Sequence, residues 1–301
     1  MSPGQHDPSA RQKLLSYLGL VLGVLSLGFS AIFVRLAQAP GPVLNFYRMG
    51  IASLCLAVPF GVQIRQSSRP LRAGDIRYAV LAGGLFAVDL VLWSTGVNLS
   101  GPTNPTLMAN TAPIWVGLSA RLFLGERRGT TFWVGLALAL TGSALILGQD
   151  SLRSTAFGLG TTLGLLGSFF YAGYFIFSQL GRRRLNSLTF FWIVVTSAAV
   201  GLGIFILLTG QPLLGYSRFT YLNFLALGLI VQVLGWFAIN YSQGYLPAAL
   251  VAPTLLGQPV MTAVLSFFLL GESFTTLQLV SGFVVILGVY FVHRSREQGR
   301  D

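Results

Sequence analysis

Asp89 is the one acid deep inside any apolar stretch of this 301-residue sequence. A charge at such a position costs about 2.5–3.5 kcal/mol on insertion scales, so it needs a compensating role. Three kinds of chemistry suit it. It could neutralise a buried cation, bind the ammonium of a substrate, or carry a coupling proton. The candidate cation is Arg48, the one arginine inside an apolar stretch. At about 1.5 Å per helical residue, Asp89 lies about 20 Å from the inner edge of its span. On the same rise Arg48 lies about 8 Å below the outer edge. In a hydrocarbon core about 30 Å thick the two depths agree within about 2 Å. The depth match favours a structural ion pair, Arg48–Asp89; the binding and proton-carrying roles stay open beside it.

Helical spacing gathers other polar and aromatic residues into faces. Phe86, Asp89 and Trp93 follow i, i+3, i+7, and so do Tyr171, Tyr174 and Ser178. Gln232, Trp236 and Asn240 follow i, i+4, i+8, Thr254, Gln258 and Thr262 share one side of a later helix, and Asn110 stands just before Pro113. In lipid such groups must face protein or a wet path. They are either interhelix glue or the wall of a cavity, with π-faces for aromatic side chains and amides for a polar head group. The expected substrate-binding set is Phe86, Asp89, Trp93, Asn110, Tyr171, Tyr174, Trp236, Asn240 and Gln258. Pro113 and Pro259 each remove one helical hydrogen bond and mark either hinges or static kinks. Trp115, Trp133, Trp192 and Tyr221 read as interface or packing aromatics. Gly135, Gly142, Ser143, Gly282 and Gly288 suggest close helix contact, within one chain or between two.

Much chemistry is excluded. Lys13 is the sole lysine, and a phosphate-binding P-loop needs Gly-Lys, so the chain does not power itself with ATP. The only histidines are His6 and His293, and no H-E-x-x-H occurs. An aspartic protease needs two deep acids. The sequence therefore reads as a non-enzyme, with an intramembrane enzyme or a structural or receptor protein as alternatives from other classes. Cys55 is the single cysteine, so no disulfide or cysteine-rich metal site forms within the chain, and no cofactor or metal is expected.

The elements that must position these residues are membrane helices. The chain is 53% hydrophobic and 9% charged, against about 25% charged in soluble domains. Ten apolar spans are predicted, at 14–36, 43–64, 76–99, 105–123, 131–147, 157–180, 188–208, 221–241, 248–270 and 276–293. The net charge of +11 is carried by arginines between spans, which speaks for membrane orientation rather than nucleic acid. With the N-terminus inside, 15 basic residues fall in inner segments and three, Arg35, Arg153 and Arg218, in outer ones. Both termini are expected in the cytoplasm.

One stretch occurs twice. Residues 109–147 and 255–293 align with a shift of 146, which sets Pro113 on Pro259, Leu124-Gly125-Glu126 on Leu270-Gly271-Glu272, and Gly142 on Gly288. Each copy reads as a proline-containing helix, a tight turn and a glycine-bearing helix. A repeat near half the chain length implies doubling. Five helices per half is an odd number, so the halves, 1–150 and 151–301, are expected to be inserted upside down relative to each other. Arg127 and Arg128 follow the first turn, and Ser273 and Phe274 the second, in keeping with that inversion. The fold class is thus an all-α membrane protein, ten transmembrane helices as two inverted five-helix repeats, which the resemblance given below sets around a central cavity.

At the two Pro-…-Leu-Gly-Glu-…-Gly copies, and at Phe46-Tyr47-Arg48, the chain resembles the ten-helix EamA-type branch of the drug/metabolite transporter superfamily. Within it the chain is most similar to the bacterial YddG-type exporters of aromatic and other amino acids. The second half departs from the pattern by lacking an arginine around residues 188–192. The resemblance implies helices 1, 3, 4, 6, 8 and 9 around a central path, with 5 and 10 peripheral. It implies secondary export of amino acids, chiefly aromatic and other largely apolar ones, by alternating access, with the lipid bilayer and a small-molecule substrate as partners and a monomer or dimer as the assembly. The rival within the superfamily is a broad drug or nucleotide-sugar carrier. Phosphates would call for several inward-facing cations, and only Arg48 is placed to serve.

Overall fold

The computed structural model describes residues 9–67, 71–101, 103–126, 128–148, 158–271 and 273–298. Among them there is no strand, and ten helical spans are long and apolar enough to cross a membrane. They are α1 (Ala10–Ala37), α2 (Gly41–Gln66), α3 (Ala73–Ser100), α4 (Thr103–Leu124), α5 (Thr130–Leu147), α6 (Leu159–Arg182), α7 (Ser187–Thr209), α8 (Arg218–Gln243), α9 (Ala248–Leu269) and α10 (Thr276–Ser295). Each coincides with one predicted span, with the ends shifted by a few residues. Glu272, Arg69, Arg127, Arg153, Arg300 and His6, and the division of the halves at 150, lie outside the described residues.

Local chemistry sets the ends. Ser9 Oγ accepts from the Gln12 N–H at 3.2 Å while Gln12 Oε1 accepts from the Ser9 N–H at 2.9 Å, so α1 starts with a reciprocal cap. Asn186 Oδ1 caps α7 through the Thr189 N–H at 2.9 Å, and Ser217 Oγ caps α8 through Thr220 at 3.1 Å. The glycines of the two repeated turns, Gly125 and Gly271, take φ of 68° and 67°, the left-handed cap that a residue with a Cβ resists.

Three spans are not continuous α-helix. α4 breaks at Asn110–Thr111 and resumes at Ala112, directly before Pro113, which has no N–H to donate. α9 passes through a 3₁₀ turn, Leu255–Gly257, just before Pro259. It also contains Pro253 in its first segment. The breaks therefore fall at matching places in the two copies of the repeat. α8 widens into a π-helix over Leu227–Trp236, a feature without a proline to announce it.

The outside of the bundle is as apolar as the inside. Leu54, Leu122, Leu208 and Phe268 are more than 70% exposed, as a lipid-facing surface requires. Polarity is turned inward: Asn45, Arg48, Asp89, Gln179, Gln232, Asn240 and Gln243 are all buried. The most extensive packing pairs are α3 with α6, α1 with α8, α4 with α6, α1 with α9, α2 with α7, α5 with α10, α3 with α7 and α2 with α8. Exchanging each helix for the one five places along maps this set onto itself.

The small-residue stripes resolve to contact within the chain. A Cβ on Gly135 would stand 2.7 Å from the Gly288 carbonyl oxygen, and one on Gly142 2.7 Å from that of Ser281. α5 and α10 thus touch backbone to backbone. Gly282 takes no part: a Cβ there would meet only the Val260 side chain, at 3.5 Å.

Candidate functional site

A cavity of about 140 Å³ lies between α1, α2, α3, α4, α6, α8 and α9. α3 contributes Phe86, Asp89 and Trp93, held to that side by its long contact with α6. α2 contributes Arg48. Its neighbours fix the direction: Tyr47 stacks on Phe224 at 4.6 Å and donates to the Leu213 carbonyl at 2.7 Å, and the Phe46 ring lies against Gly203. Arg48 is thereby left to point inward. The two helix breaks supply Asn110 and Pro113 from α4, and Leu255, Leu256 and Gln258 from α9.

The expected Arg48–Asp89 ion pair does not close. Arg48 Nε instead donates to Gln232 Oε1 at 2.7 Å. Gln232, fully buried in the π-helix, is what the pairing by depth left out of account. Asp89 is 6% exposed and, among the described residues, has no hydrogen-bond partner. Its Oδ1 would lie 3.0 Å from a Cβ on Gly167, so a side chain on α6 at that point would press on the carboxylate. Arg48 and Asp89 remain within electrostatic range of each other, both on the cavity wall.

The aromatic residues form a floor more than a free surface. Phe86 stacks on Tyr174 at 4.7 Å and leans on Trp236 at 5.0 Å, and Tyr171 meets Trp236 edge-on at 6.0 Å. Phe86 and Trp236 are 2% and 3% exposed, so their π-faces are largely spent on one another. Tyr171 and Trp93 are half-buried and reach the cavity. The Trp93 indole N–H donates to Thr106 Oγ1 at 3.1 Å, and the Asn110 amide to Ser143 Oγ at 3.1 Å, tying the α4 break to α3 and α5.

Of the nine expected binding residues, seven line the cavity: Phe86, Asp89, Trp93, Asn110, Tyr171, Trp236 and Gln258. Tyr174 and Asn240 do not. Both are fully buried beneath the floor. Thr254 and Thr262 also leave the wall, because the 3₁₀ turn changes the phase of α9 between them. Thr254 Oγ1 pairs with His293 Nε2 at 2.8 Å, and Thr262 Oγ1 donates to the Gly28 carbonyl at 3.1 Å. Pro113 faces the cavity, whereas Pro259 is not on its wall. The residues read as packing aromatics behave so: Trp115 stacks on Phe169 at 4.0 Å and Trp192 on Phe60 at 3.9 Å. Trp133 meets Phe132 edge-on at 5.2 Å, and Tyr221 meets Tyr47 at 5.8 Å. The sequence reading missed Leu27 and Ser30 of α1 and the role of Gln232. A serine three residues from a leucine in an apolar run carries no signal of its own.

A cavity lined by an arginine and an aspartate inside a bundle of membrane helices, with helix breaks on its wall, suits a membrane transporter. The model of the EamA-like transporter family matches the chain twice, over residues 14–148 and 158–294, and the chain belongs to that family. It is 26% identical to "Uncharacterized transporter YdfC" of Bacillus subtilis, across 91% of this chain and 89% of that one. It is 28% identical to the "Probable terminal-alkyne amino-acid exporter" of Streptantibioticus cattleyicolor, across 90% of each. A solved crystal structure with 15% identity superposes with a TM-score of 0.74, over 96% of this chain and all of that one, and shares its fold.

Proposed function

We propose that this protein exports amino acids, chiefly aromatic and other largely apolar ones, as a secondary transporter rather than an enzyme. Its place is the bacterial inner membrane, both termini are cytoplasmic, and two inverted halves alternate access to the cavity. The observation that carries the reading is that Arg48 and Asp89 face one cavity without pairing. A fixed cation and a fixed anion at one site suit a zwitterion, with the carboxylate toward Arg48 and the ammonium toward Asp89. Tyr171 and Trp93 offer ring surface for an apolar side chain. The exporter from Streptantibioticus cattleyicolor, named for an amino acid, supports the substrate class. Nucleotide sugars fit less well, since Arg48 is the one basic residue on the wall among the described residues.

The test is counterflow in proteoliposomes across a panel of amino acids, with and without an imposed pH gradient. Vesicles loaded with phenylalanine or leucine should draw in the labelled amino acid. Exchange of a nucleotide sugar with none of any amino acid would refute the reading.

A further inference from the structure

Beneath the cavity floor, α6 and α8 carry polar side chains that the cavity does not use. Along α6 Ser178 and Arg182 follow Tyr174, and along α8 Asn240 and Gln243 follow the cavity-lining Trp236, each set at helical spacing. Tyr174 and Trp236, 5.6 Å apart, close the upper level. Arg182 closes the lower one. Its Nε donates to the Asn240 carbonyl at 3.1 Å, and its other nitrogens to Ser187 Oγ at 2.6 Å and to the Leu185 carbonyl. Beside it, Gln179 accepts the Ala248 N–H at 2.7 Å and donates to Glu126 Oε1 at 2.8 Å.

Between the two levels, Ser178 and Asn240 are fully buried and Gln243 is 3% exposed. Among the described residues, neither side-chain amide atom of Asn240 and neither of Gln243 closes a hydrogen bond. A buried amide without a partner is a standing loss of stability. Two of them on one helix face, continuing the stripe that begins with Gln232 and Trp236 in the cavity wall, point to a ligand that reaches them in another arrangement of the helices.

We propose that Ser178, Asn240 and Gln243 form a second substrate subsite, on the far side of the aromatic floor from the cavity, that receives the polar head group of the transported molecule when the Arg182 end opens. Each amide offers both a donor and an acceptor, so the chemistry that fits is a small group with both, the ammonium and carboxylate of an amino acid. The subsite rests on the proposed function for its ligand, though not for its location.

Two measurements test it. In a Cys55→Ser background, Ser178→Cys should react with a membrane-impermeant thiol reagent from the Arg182 face of oriented vesicles, and phenylalanine should slow that reaction. A cysteine inert from that face would overturn the proposal. Asn240→Leu keeps the side chain's volume and removes the stranded amide. A structural role predicts a protein at least as stable as the native one with unchanged transport. The subsite predicts the same stability with phenylalanine transport lowered about tenfold, the effect of one lost hydrogen bond, and binding in the cavity unchanged. Full transport by Asn240→Leu would refute it. If the native protein moves no amino acid, the proposed function fails, and labelling of Ser178→Cys still decides whether the polar chamber opens.

Discussion

Asp89→Asn is the most informative perturbation. The carboxylate is almost wholly buried, reaches the cavity and, among the described residues, has no hydrogen-bond partner. Arg48 keeps its 2.7 Å bond to Gln232 whether or not Asp89 is charged, so the substitution strands no cation and folded yield should hold. Under the proposed function, what is lost is a charge-assisted bond to the substrate ammonium. Such bonds contribute about 1.5–3 kcal/mol, a factor of about 10–150 in affinity. The assay compares phenylalanine with phenylpropanoate, which has the same ring and carboxylate but no ammonium, by quenching of tryptophan fluorescence. Phenylalanine should weaken by that factor in Asp89→Asn. Phenylpropanoate should bind unchanged or more tightly, because the substitution removes a repulsive anion. Equal weakening of both ligands would refute the assignment. So would a collapse in yield that Arg48→Met restores, because that pattern belongs to a buried ion pair.

Three further outcomes are expected. Reporter fusions after Asp150 and after Arg183 should read outside and inside respectively; the reverse would overturn the orientation. Gly288→Ala should destabilise the protein by about 1–3 kcal/mol, as overpacking does, since its Cβ would stand 2.4 Å from the Ala139 nitrogen; an unchanged thermal midpoint in detergent would refute the contact between α5 and α10. Gln179→Leu removes the bonds to Ala248 and Glu126, and should speed thiol labelling of Ser178→Cys from the Arg182 face; an unchanged rate would show that these bonds do not hold that end shut.

The ten spans were legible because lipid leaves a helix little choice: about 20 apolar residues and no unpaired backbone. The Leu-Gly-Glu turns were legible because a left-handed cap favours glycine, and the α4 break because proline has no donor. Depth was also readable, since it is only residue count times rise. Azimuth was not. Arg48 and Asp89 lie at matching depths, yet α2 packs mainly on α7 and α3 on α6, so their side chains meet the cavity rather than each other. The π-helix over Leu227–Trp236 left no trace in its composition. Nothing in Leu-Gly-Leu-Ile-Val-Gln-Val-Leu-Gly-Trp distinguishes it from an ordinary apolar helix, and it presents Gln232 to an arginine 184 positions away. The 3₁₀ turn likewise undid the predicted grouping of Thr254, Gln258 and Thr262. Tyr174 and Asn240 were placed on the correct faces but one level too high, because spacing along a helix does not say where a floor of rings will close.

Two of the most extensive packing pairs join a helix to its own counterpart: α5 meets α10, and α2 meets α7. Such a seam is isologous, the same surface used from both sides, as in a two-fold dimer. A five-helix half carries one copy of each such surface and so holds what it needs to recognise a second half of the same kind. Linking the two in one chain replaces that encounter with an intramolecular one at high effective concentration. It also frees each copy to diverge. Arg48 has no partner arginine in the second half, so the linked chain could become chemically lopsided while its seams stayed matched.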